Sequence, residues 1–118
     1  MSEEVYFMLE LSVQDGALDK FKALMQDMVA STKNEPDTLN YEWTISEDGR
    51  TCHIYERYKD SAAMTAHLGT FGVKFANRFM AAVKPTRLVV YGAPDRQAKD
   101  ALAALKPAYM AVLGGFKR

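Results

Sequence analysis

The sequence predicts an α+β domain of the ferredoxin-like type, in which the order β-α-β-β-α-β gives one sheet with helices on one face. Apolar residues alternate near the start of the chain, then recur at helical spacing, and then alternate again in two runs around Asp48–Gly49. A second helical region and a β-branched strand follow. With 118 residues, the chain has the length of a single domain.

The first strand and the first helix follow from their periodicity. Alternate apolar residues from Val5 to Val13 predict a strand with one strongly apolar face. From about Asp15 to Lys33, apolar residues recur every three or four positions, which predicts a helix that buries one stripe. Pro36 ends this helix because it has no amide donor and restricts Glu35 to extended geometry.

The segment from Leu39 to Tyr58 is predicted to form a β-hairpin. Asp48–Gly49 favours a two-residue type I′ turn, and this turn places Tyr41 opposite Glu56 and Leu39 opposite Tyr58. A single face of the hairpin then carries Leu39, Tyr41, Trp43, Ile45, Cys52, Ile54, Glu56 and Tyr58. Glu56 is the charged exception on this face.

Two short helices are predicted after the hairpin. Asp60 or Ser61 can cap a helix that ends at Gly69, and Thr70 can cap a second helix that stops at Pro85. His67 lies on the first of these helices.

The rest of the chain is predicted to add a strand, a helix and an arm. Thr86 to Gly92 is typical of a strand, Asp95 to Lys106 of an Ala-rich amphipathic helix, and Tyr109 to Phe116 of an apolar arm. We expect residues 1–94 to form the ferredoxin-like domain. We expect residues 95–118 to pack on the same domain or on a partner subunit.

Composition excludes several classes of function. Fifteen basic and fifteen acidic residues give a net charge of zero, so we expect no binding to nucleic acid or to an anionic membrane. No apolar run is long enough to span a bilayer and no secretion signal is visible, so the cytoplasm is the expected location. One cysteine and two distant histidines predict no metal site, and the absence of a phosphate-binding loop or GxGxxG motif predicts no nucleotide cofactor.

One cluster of residues has the composition of a catalytic site. On the apolar hairpin face, Glu56 lies beside Tyr58 and opposite Tyr41, where a carboxylate either finds a donor or has its pKa raised by desolvation. His67 shares the inward helix face with Met64 and can approach Tyr58 or Glu56. Two simpler interpretations stay open: a buried acid satisfied by a neighbour, and a helix-terminal histidine bound to carbonyl groups.

Other aromatic, sulfur-containing and histidine side chains have simpler interpretations. The row of Phe71, Phe75 and Phe79 is interpreted as core, with one end able to line a pocket. The methionines are interpreted as core or as an adaptable pocket wall. His53 lies on the polar hairpin face and is interpreted as a surface or interface residue.

The stretch from Glu35 to Trp43, followed by Tyr55-Glu56-Arg57-Tyr58 and by His67, resembles the antibiotic biosynthesis monooxygenase family. The resemblance covers residues 5 to 93. It implies a quinol-monooxygenase-like dimeric α/β barrel, in which two sheets pack face to face and each subunit has a pocket between its sheet and its helices. Members of the family include cofactor-free quinol and polyketide-anthrone monooxygenases.

The resemblance also implies roles for individual residues. The family's acid and aromatic residue at the end of the third strand look like Glu56 and Tyr58, and its helix histidine looks like His67. The anthrone oxygenases carry Asn and Trp where this chain has Ile54 and Tyr58, so polyketide substrates are not expected. The position that resembles the iron-ligating histidine of the haem-degrading branch is Asn77, so haem is not expected.

The function that we expect is a cofactor-independent monooxygenase that oxidises a small phenol- or quinol-type molecule with O₂. His67 and Glu56 would handle the proton. The pocket wall would consist of Tyr41, Trp43, Ile54, Tyr58, Met64 and Phe71. Two alternatives stay open: a non-catalytic small-molecule-binding or stress-response dimer, and an isomerase of a related barrel type.

The reverse side of the sheet predicts a homodimer. It carries Tyr6, Met8 and Tyr55, together with either the pair Leu88 and Val90 or the pair Val89 and Tyr91. No predicted helix is left to cover this half-apolar surface. We therefore expect two copies of the chain to associate through their sheet faces.

Overall fold

The computed structural model describes residues 3–118. In chain order, its elements are β1 (Val5–Val13), α1 (Leu18–Thr32), β2 (Thr38–Ile45), β3 (Thr51–Tyr58), α2 (Ser61–Lys74), α3 (Ala76–Ala82), β4 (Val83–Gly92), α4 (Arg96–Leu102) and β5 (Ala108–Met110). A 3₁₀ turn at Ala103–Leu105 follows α4. The predicted α+β, ferredoxin-like order is confirmed, and α4 is the predicted additional helix.

The five strands form one sheet in the order β2-β3-β1-β4-β5. The first four strands pair antiparallel, whereas β5 pairs parallel to β4. The inward face of β1 carries Phe7, Leu9 and Leu11, and it packs with the buried α1 residues Phe21, Leu24 and Met28. The core therefore lies between the sheet and the helices, and β5 is a strand that the sequence did not predict.

The hairpin has the predicted register over most of its length. Tyr41 is opposite Glu56, but a bulge places Thr38, rather than Leu39, opposite Tyr58. The turn also differs from the prediction, because a type I′ turn needs a positive φ at both central residues and only Gly49, with φ of 72°, has one. Ser46 and Thr51 still pair, since the Ser46 amide donates to the Thr51 carbonyl at 2.8 Å, so a four-residue loop at 47–50 replaces the two-residue turn and the register is kept.

The predicted helix end at Gly69 is wrong. Helix α2 begins as expected at Asp60, whose carboxylate accepts a hydrogen bond from the Ala63 amide at 2.9 Å. It then continues through Gly69 to Lys74, and Thr70 is an internal residue that donates to the Ala66 carbonyl rather than an N-cap. An internal glycine costs a helix about 1 kcal/mol, and the packing of the helix's buried side chains outweighs that cost.

The predicted role of Pro85 as a helix stop is also wrong. Strand β4 begins at Val83 and contains Pro85. The pairing with β1 shifts at this point, so that Arg87 is opposite Glu10, Pro85 is opposite Leu11, and Thr86 is the extra residue. A bulge is one of the few places where a sheet accepts proline.

The side of the sheet away from the helices is called the reverse face, and it carries Tyr6, Met8, Tyr55, Val89 and Tyr91. The register selects Val89 and Tyr91 from the two predicted pairs, and the Tyr6 and Tyr91 rings stack at 5.1 Å. The last residues of the chain run beside this face and leave a groove of about 650 Å³. Lys117 pairs with Glu4 beside the groove.

Within residues 3–118, no helix is both long enough and apolar enough to cross a membrane.

Candidate active site

Glu56 lies at the centre of the buried polar cluster. The alternation of β3 turns Cys52, Ile54, Glu56 and Tyr58 toward the helices, and only 4% of Glu56 is exposed. The Tyr58 hydroxyl donates a hydrogen bond to Glu56 Oε1. The carboxylate therefore has the donor that a buried acid requires.

Helix α2 brings His67 to this carboxylate. Met64 and His67 are one turn apart, and both are buried on the inward face of the helix. His67 Nε2 lies 3.3 Å from Glu56 Oε1, and the His67 ring lies 5.5 Å from the Tyr58 ring. Both contacts that the sequence allowed for His67 are present, and the interpretation as a helix-terminal histidine is wrong because α2 continues for seven residues beyond it.

The cluster contains a second carboxylate that the sequence did not identify as a site residue. Glu35 Oε1 lies 2.8 Å from His67 Nδ1 and also accepts a hydrogen bond from the Thr38 hydroxyl at 3.0 Å. Glu35 stands in the loop between α1 and β2, where its amide donates to the Thr32 carbonyl. Glu35 is part of the stretch that carries the family resemblance, but that stretch gives no information on where the side chain points.

The two carboxylates determine the charge of His67. Burial by itself lowers the pKa of this imidazole, but hydrogen bonding and charge attraction from Glu56 and then Glu35 outweigh burial, so the pKa is raised above 6.5. A protonated imidazole donates from both ring nitrogens, and each nitrogen here faces a carboxylate oxygen. The geometry therefore favours a His67 cation held between two anions.

The neighbouring phenols stay protonated. Burial, and then the Glu56 charge, raises the pKa of Tyr58 well above its ordinary value. The same two causes, in the same order, raise the pKa of Tyr41. Both hydroxyl groups therefore remain donors at neutral pH rather than becoming competing anions.

Glu56 and His67 lie in the wall of one cavity of about 120 Å³ between the sheet and the helices. The rest of the wall is aliphatic, aromatic or sulfur-containing, and is formed by Phe7, Leu9, Met28, Tyr41, Leu68, Phe71, Phe79, Met80, Pro85, Leu88, Leu102 and Leu105. An acid and a histidine thus share an otherwise apolar space, which is the arrangement that base-assisted deprotonation of a small molecule requires.

Of the six side chains predicted as the pocket wall, Tyr41 and Phe71 line this cavity. Ile54, Tyr58 and Met64 are almost completely buried and pack behind the wall. Trp43 lies two residue pairs further along the hairpin than Tyr41, with its ring 5.5 Å from Phe21 and 5.7 Å from Tyr41. Contact of any of the six with a substrate stays a prediction.

The residues considered for metal or haem lie away from the cavity. Asn77 is exposed on α3. His53 lies on the reverse face, with Nε2 3.0 Å from Glu10 Oε1. In the part of the chain that the structure describes, no group of three or more His, Cys, Asp or Glu side chains could hold a metal ion.

The family model described as antibiotic biosynthesis monooxygenase matches residues 5–84, which is more than half of the chain. The chain belongs to this family. The matched region contains Glu35, Glu56 and His67, so the whole acid–histidine cluster lies within the part that is typical of antibiotic biosynthesis monooxygenases.

Solved structures share the fold of this family member. MupZ from Pseudomonas fluorescens matches with a TM-score of 0.86 at 21% identity, over 99% of this chain and 96% of MupZ. SnoaB, a cofactor-independent oxygenase from Streptomyces nogalater, matches with a TM-score of 0.68 at 18% identity, over 80% of this chain and 96% of SnoaB. Rv0793 from Mycobacterium tuberculosis matches with a TM-score of 0.62 at 21% identity, over 79% of this chain and 97% of Rv0793. No curated protein matches the chain at a significant level.

Proposed function

We propose that this protein is a cofactor-independent monooxygenase that oxidises a small hydroxylated aromatic molecule with O₂. Membership of the family and the likeness to SnoaB support a monooxygenase-type function. The observation that carries the finer proposal is the pairing of Glu56 with His67, at 3.3 Å, in the wall of an apolar cavity.

The proposed reaction needs no external reductant. A phenol with a free ring position opposite its hydroxyl supplies all four electrons: one oxygen atom replaces the ring hydrogen to form the second carbonyl of a quinone, and the other leaves as water. For phenol itself, C₆H₆O and O₂ give C₆H₄O₂ and H₂O. The protein has to supply a base, a dry cavity and orientation.

Glu56 and His67 have different roles in the deprotonation of the phenol. An ordinary phenol has a pKa near 10, so at neutral pH the hydroxyl must lose its proton to become an electron donor to O₂. The Glu56 carboxylate accepts the proton, and the His67 cation beside it stabilises the phenolate. Glu35 holds His67 through Nδ1, which keeps Nε2 directed at Glu56.

The apolar wall supports the same step. Phe71, Phe79 and Leu88 surround the space with hydrocarbon, so few water molecules compete for the carboxylate and the imidazole. Interactions between the phenolate and the His67 cation are stronger in this low-dielectric space than in water. The wall also gives an aromatic ring apolar surface on which to pack.

Oxygen-electrode assays with phenol and 1-naphthol, both of which have a free ring position opposite the hydroxyl, test the proposal. We expect Glu56→Gln to reduce O₂ uptake by about 10²–10⁴-fold, the usual contribution of a general base. His67→Ala should reduce it by about 10²–10³-fold, the usual effect of removing one group that stabilises a developing anion. His53→Ala is the matched control, because the second histidine lies on the reverse face, away from the cavity, and its side chain is 45% exposed. With ¹⁸O₂, the quinone should carry one labelled oxygen atom and the water the other.

Two outcomes would count against the proposal. Oxygen uptake that is unchanged in both Glu56→Gln and His67→Ala would remove these side chains from the reaction. A rise in Tm with an aromatic ligand, without oxygen uptake by any variant, would instead support the alternative of a small-molecule-binding protein that performs no oxidation.

A further inference from the structure

The wall of the cavity includes residues from outside the region that matches the family. Leu102 at the end of α4 and Leu105 in the following 3₁₀ turn both line the cavity, and both lie beyond residue 84. The other lining residues come from the first four strands and from α1, α2 and α3. The C-terminal region therefore shapes the same space that contains the acid–histidine cluster.

Helix α4 is held firmly in this position. The Asp95 carboxylate caps it by accepting from the Ala98 amide at 2.9 Å, and the Asp95 amide donates to the Ser61 hydroxyl at the start of α2, also at 2.9 Å. Ala98 and Leu102 are almost completely buried in the core. The segment from Arg96 to Leu105 is thus a fixed part of the wall and not a loose tail.

Leu105 lies where the cavity meets solvent. Among the described lining residues, Leu105 is 41% exposed and Met80 is 54% exposed, whereas Leu102 and Phe79 are buried. A side chain that both lines a cavity and is exposed to solvent lies at the cavity's edge. Leu105 and Met80 therefore lie at the exposed edge of this cavity, which we call its opening.

The volume of the cavity limits what can enter. A dry cavity of about 150 Å³ lined by Leu, Ile and Phe accommodates one benzene ring. The cavity here is smaller, at about 120 Å³, so it accommodates at most a single ring beside Glu56 and His67. A fused second ring would have to extend past the opening, where Leu105 stands.

We infer that the segment from Arg96 to Leu105 is the size-selective wall of the cavity, and that Leu105 restricts the ligand to phenols with a single aromatic ring. This inference rests on the proposed function for its ligand class. It adds a specificity-determining residue and a ring-number limit, which neither the family nor its acid–histidine cluster supplies.

Equilibrium dialysis under nitrogen tests the inference without turnover. The Kd values of phenol and 1-naphthol are measured for the wild type, for Leu105→Ala and for Leu113→Ala. Leu113→Ala is the matched control, because it makes the same substitution at a fully exposed position further along the same C-terminal region. Circular dichroism confirms that each variant is folded, which we expect because Leu105 is only partly buried.

We expect the wild type to bind phenol more tightly than 1-naphthol. Leu105→Ala should shift the ratio of the two Kd values at least about tenfold toward 1-naphthol, the size of effect that a few carbon atoms have in an apolar pocket. Leu113→Ala should leave the ratio unchanged. The inference would be overturned if the ratio does not shift in Leu105→Ala, or if it shifts equally in Leu113→Ala. It would also be overturned if the wild type binds neither compound or favours 1-naphthol.

The proposed function can fail separately. Ring-size selectivity that depends on Leu105, together with no O₂ uptake, would disprove the oxidation and leave the inference standing. Oxygen uptake that requires Glu56 and His67, together with a Kd ratio that does not change in Leu105→Ala, would support the oxidation and disprove the inference about Leu105.

Discussion

Replacing Glu35 with glutamine tests the claim that His67 is a cation held between two carboxylates. Glutamine keeps the length of the side chain and an oxygen that can still accept from Thr38, but it removes the charge 2.8 Å from His67 Nδ1. Both partners are largely buried, with 6% of the His67 side chain and 24% of the Glu35 side chain exposed. Solvent therefore screens the interaction only in part.

The raised pKa of His67 fixes the sign of the effect. Its pKa is above 6.5 in the folded protein and near 6.5 in the unfolded chain, so the folded state binds the proton more tightly. The stability that this gives is fully present below about pH 6.5 and is lost as the pH rises through the folded-state pKa. Glu35→Gln should therefore have its largest effect at acidic pH.

The magnitude follows from the type of hydrogen bond. A bond to a charged group contributes about 1.5–3 kcal/mol and a neutral bond about 0.5–1.5 kcal/mol. Because glutamine leaves a neutral acceptor, Glu35→Gln should lower the free energy of unfolding by about 1–2 kcal/mol near pH 5.5, where His67 is charged. Above the folded-state pKa of His67, the difference should fall below about 1 kcal/mol.

Urea denaturation between about pH 5.5 and pH 9 measures the difference, and NMR of the His67 ring proton locates the folded-state pKa. Glu10→Gln is the matched control. Glu10 also pairs with a histidine at 3.0 Å, but the pair is exposed, so its removal should have a smaller effect. A stability difference for Glu35→Gln that is constant with pH, or that grows as the pH rises, would refute the assignment of a charged His67.

Two further predictions concern stability and assembly. Gly69→Ala should stabilise the protein by about 0.4–1 kcal/mol, because Gly69 is inside α2 and the space that a Cβ would occupy there is open. Gly92→Ala should destabilise it by more than about 1 kcal/mol in the same urea experiment, because Gly92 has φ of 100° and a Cβ there would lie 2.8 Å from the Glu4 carbonyl oxygen. Light scattering at micromolar concentration should give twice the mass of one chain, because the reverse face carries aromatic side chains and the helices within residues 3–118 pack on the other face of the sheet. A stable monomer would contradict the predicted pairing of sheet faces.

The sequence predicted well those elements whose side chains repeat with a regular period. The bounds of β1 from Val5 to Val13 agree with the alternation, and the facing pair Tyr41 and Glu56 agrees with the predicted hairpin register. The register was correct although the turn type was wrong, since the four-residue loop and the two-residue turn leave the same residues opposite each other. The burial pattern of one face constrained the pairing more strongly than the turn residues did.

Two predictions that depended on a single glycine or proline, the helix end at Gly69 and the helix stop at Pro85, failed. The preferences of Gly69 and Pro85 against a regular helix or strand are worth a few kcal/mol at most. The packing of α2 on the core outweighed the first preference, and a bulge in β4 accommodated the second. Strand β5 could not be predicted from its three exposed residues, because its order comes from pairing with β4.

The residues of the candidate site were predictable where they lie on elements whose side chains repeat with a regular period. Glu56 and His67 lie on a strand and a helix with clear inward faces, so their meeting could be inferred from periodicity. Glu35 lies in a loop, where no repeat indicates the direction of a side chain. Leu105 lies in a 3₁₀ turn whose position over the cavity depends on how α4 packs against α2.

Under the proposed function, the arrangement around His67 also determines which side chain accepts the proton from the ligand. With Nδ1 bound to Glu35 and Nε2 directed at Glu56, His67 has no nitrogen left with which to take a proton from a ligand without breaking one of these contacts. Glu56 is therefore the acceptor, and His67 and Glu35 act by keeping a positive charge beside it. On this assignment Glu56→Gln abolishes the base and lowers kcat at every pH. Glu35→Gln leaves the base in place but lowers the pKa of His67, so His67 loses its charge at a lower pH. The pH profile of kcat should shift toward lower pH with it.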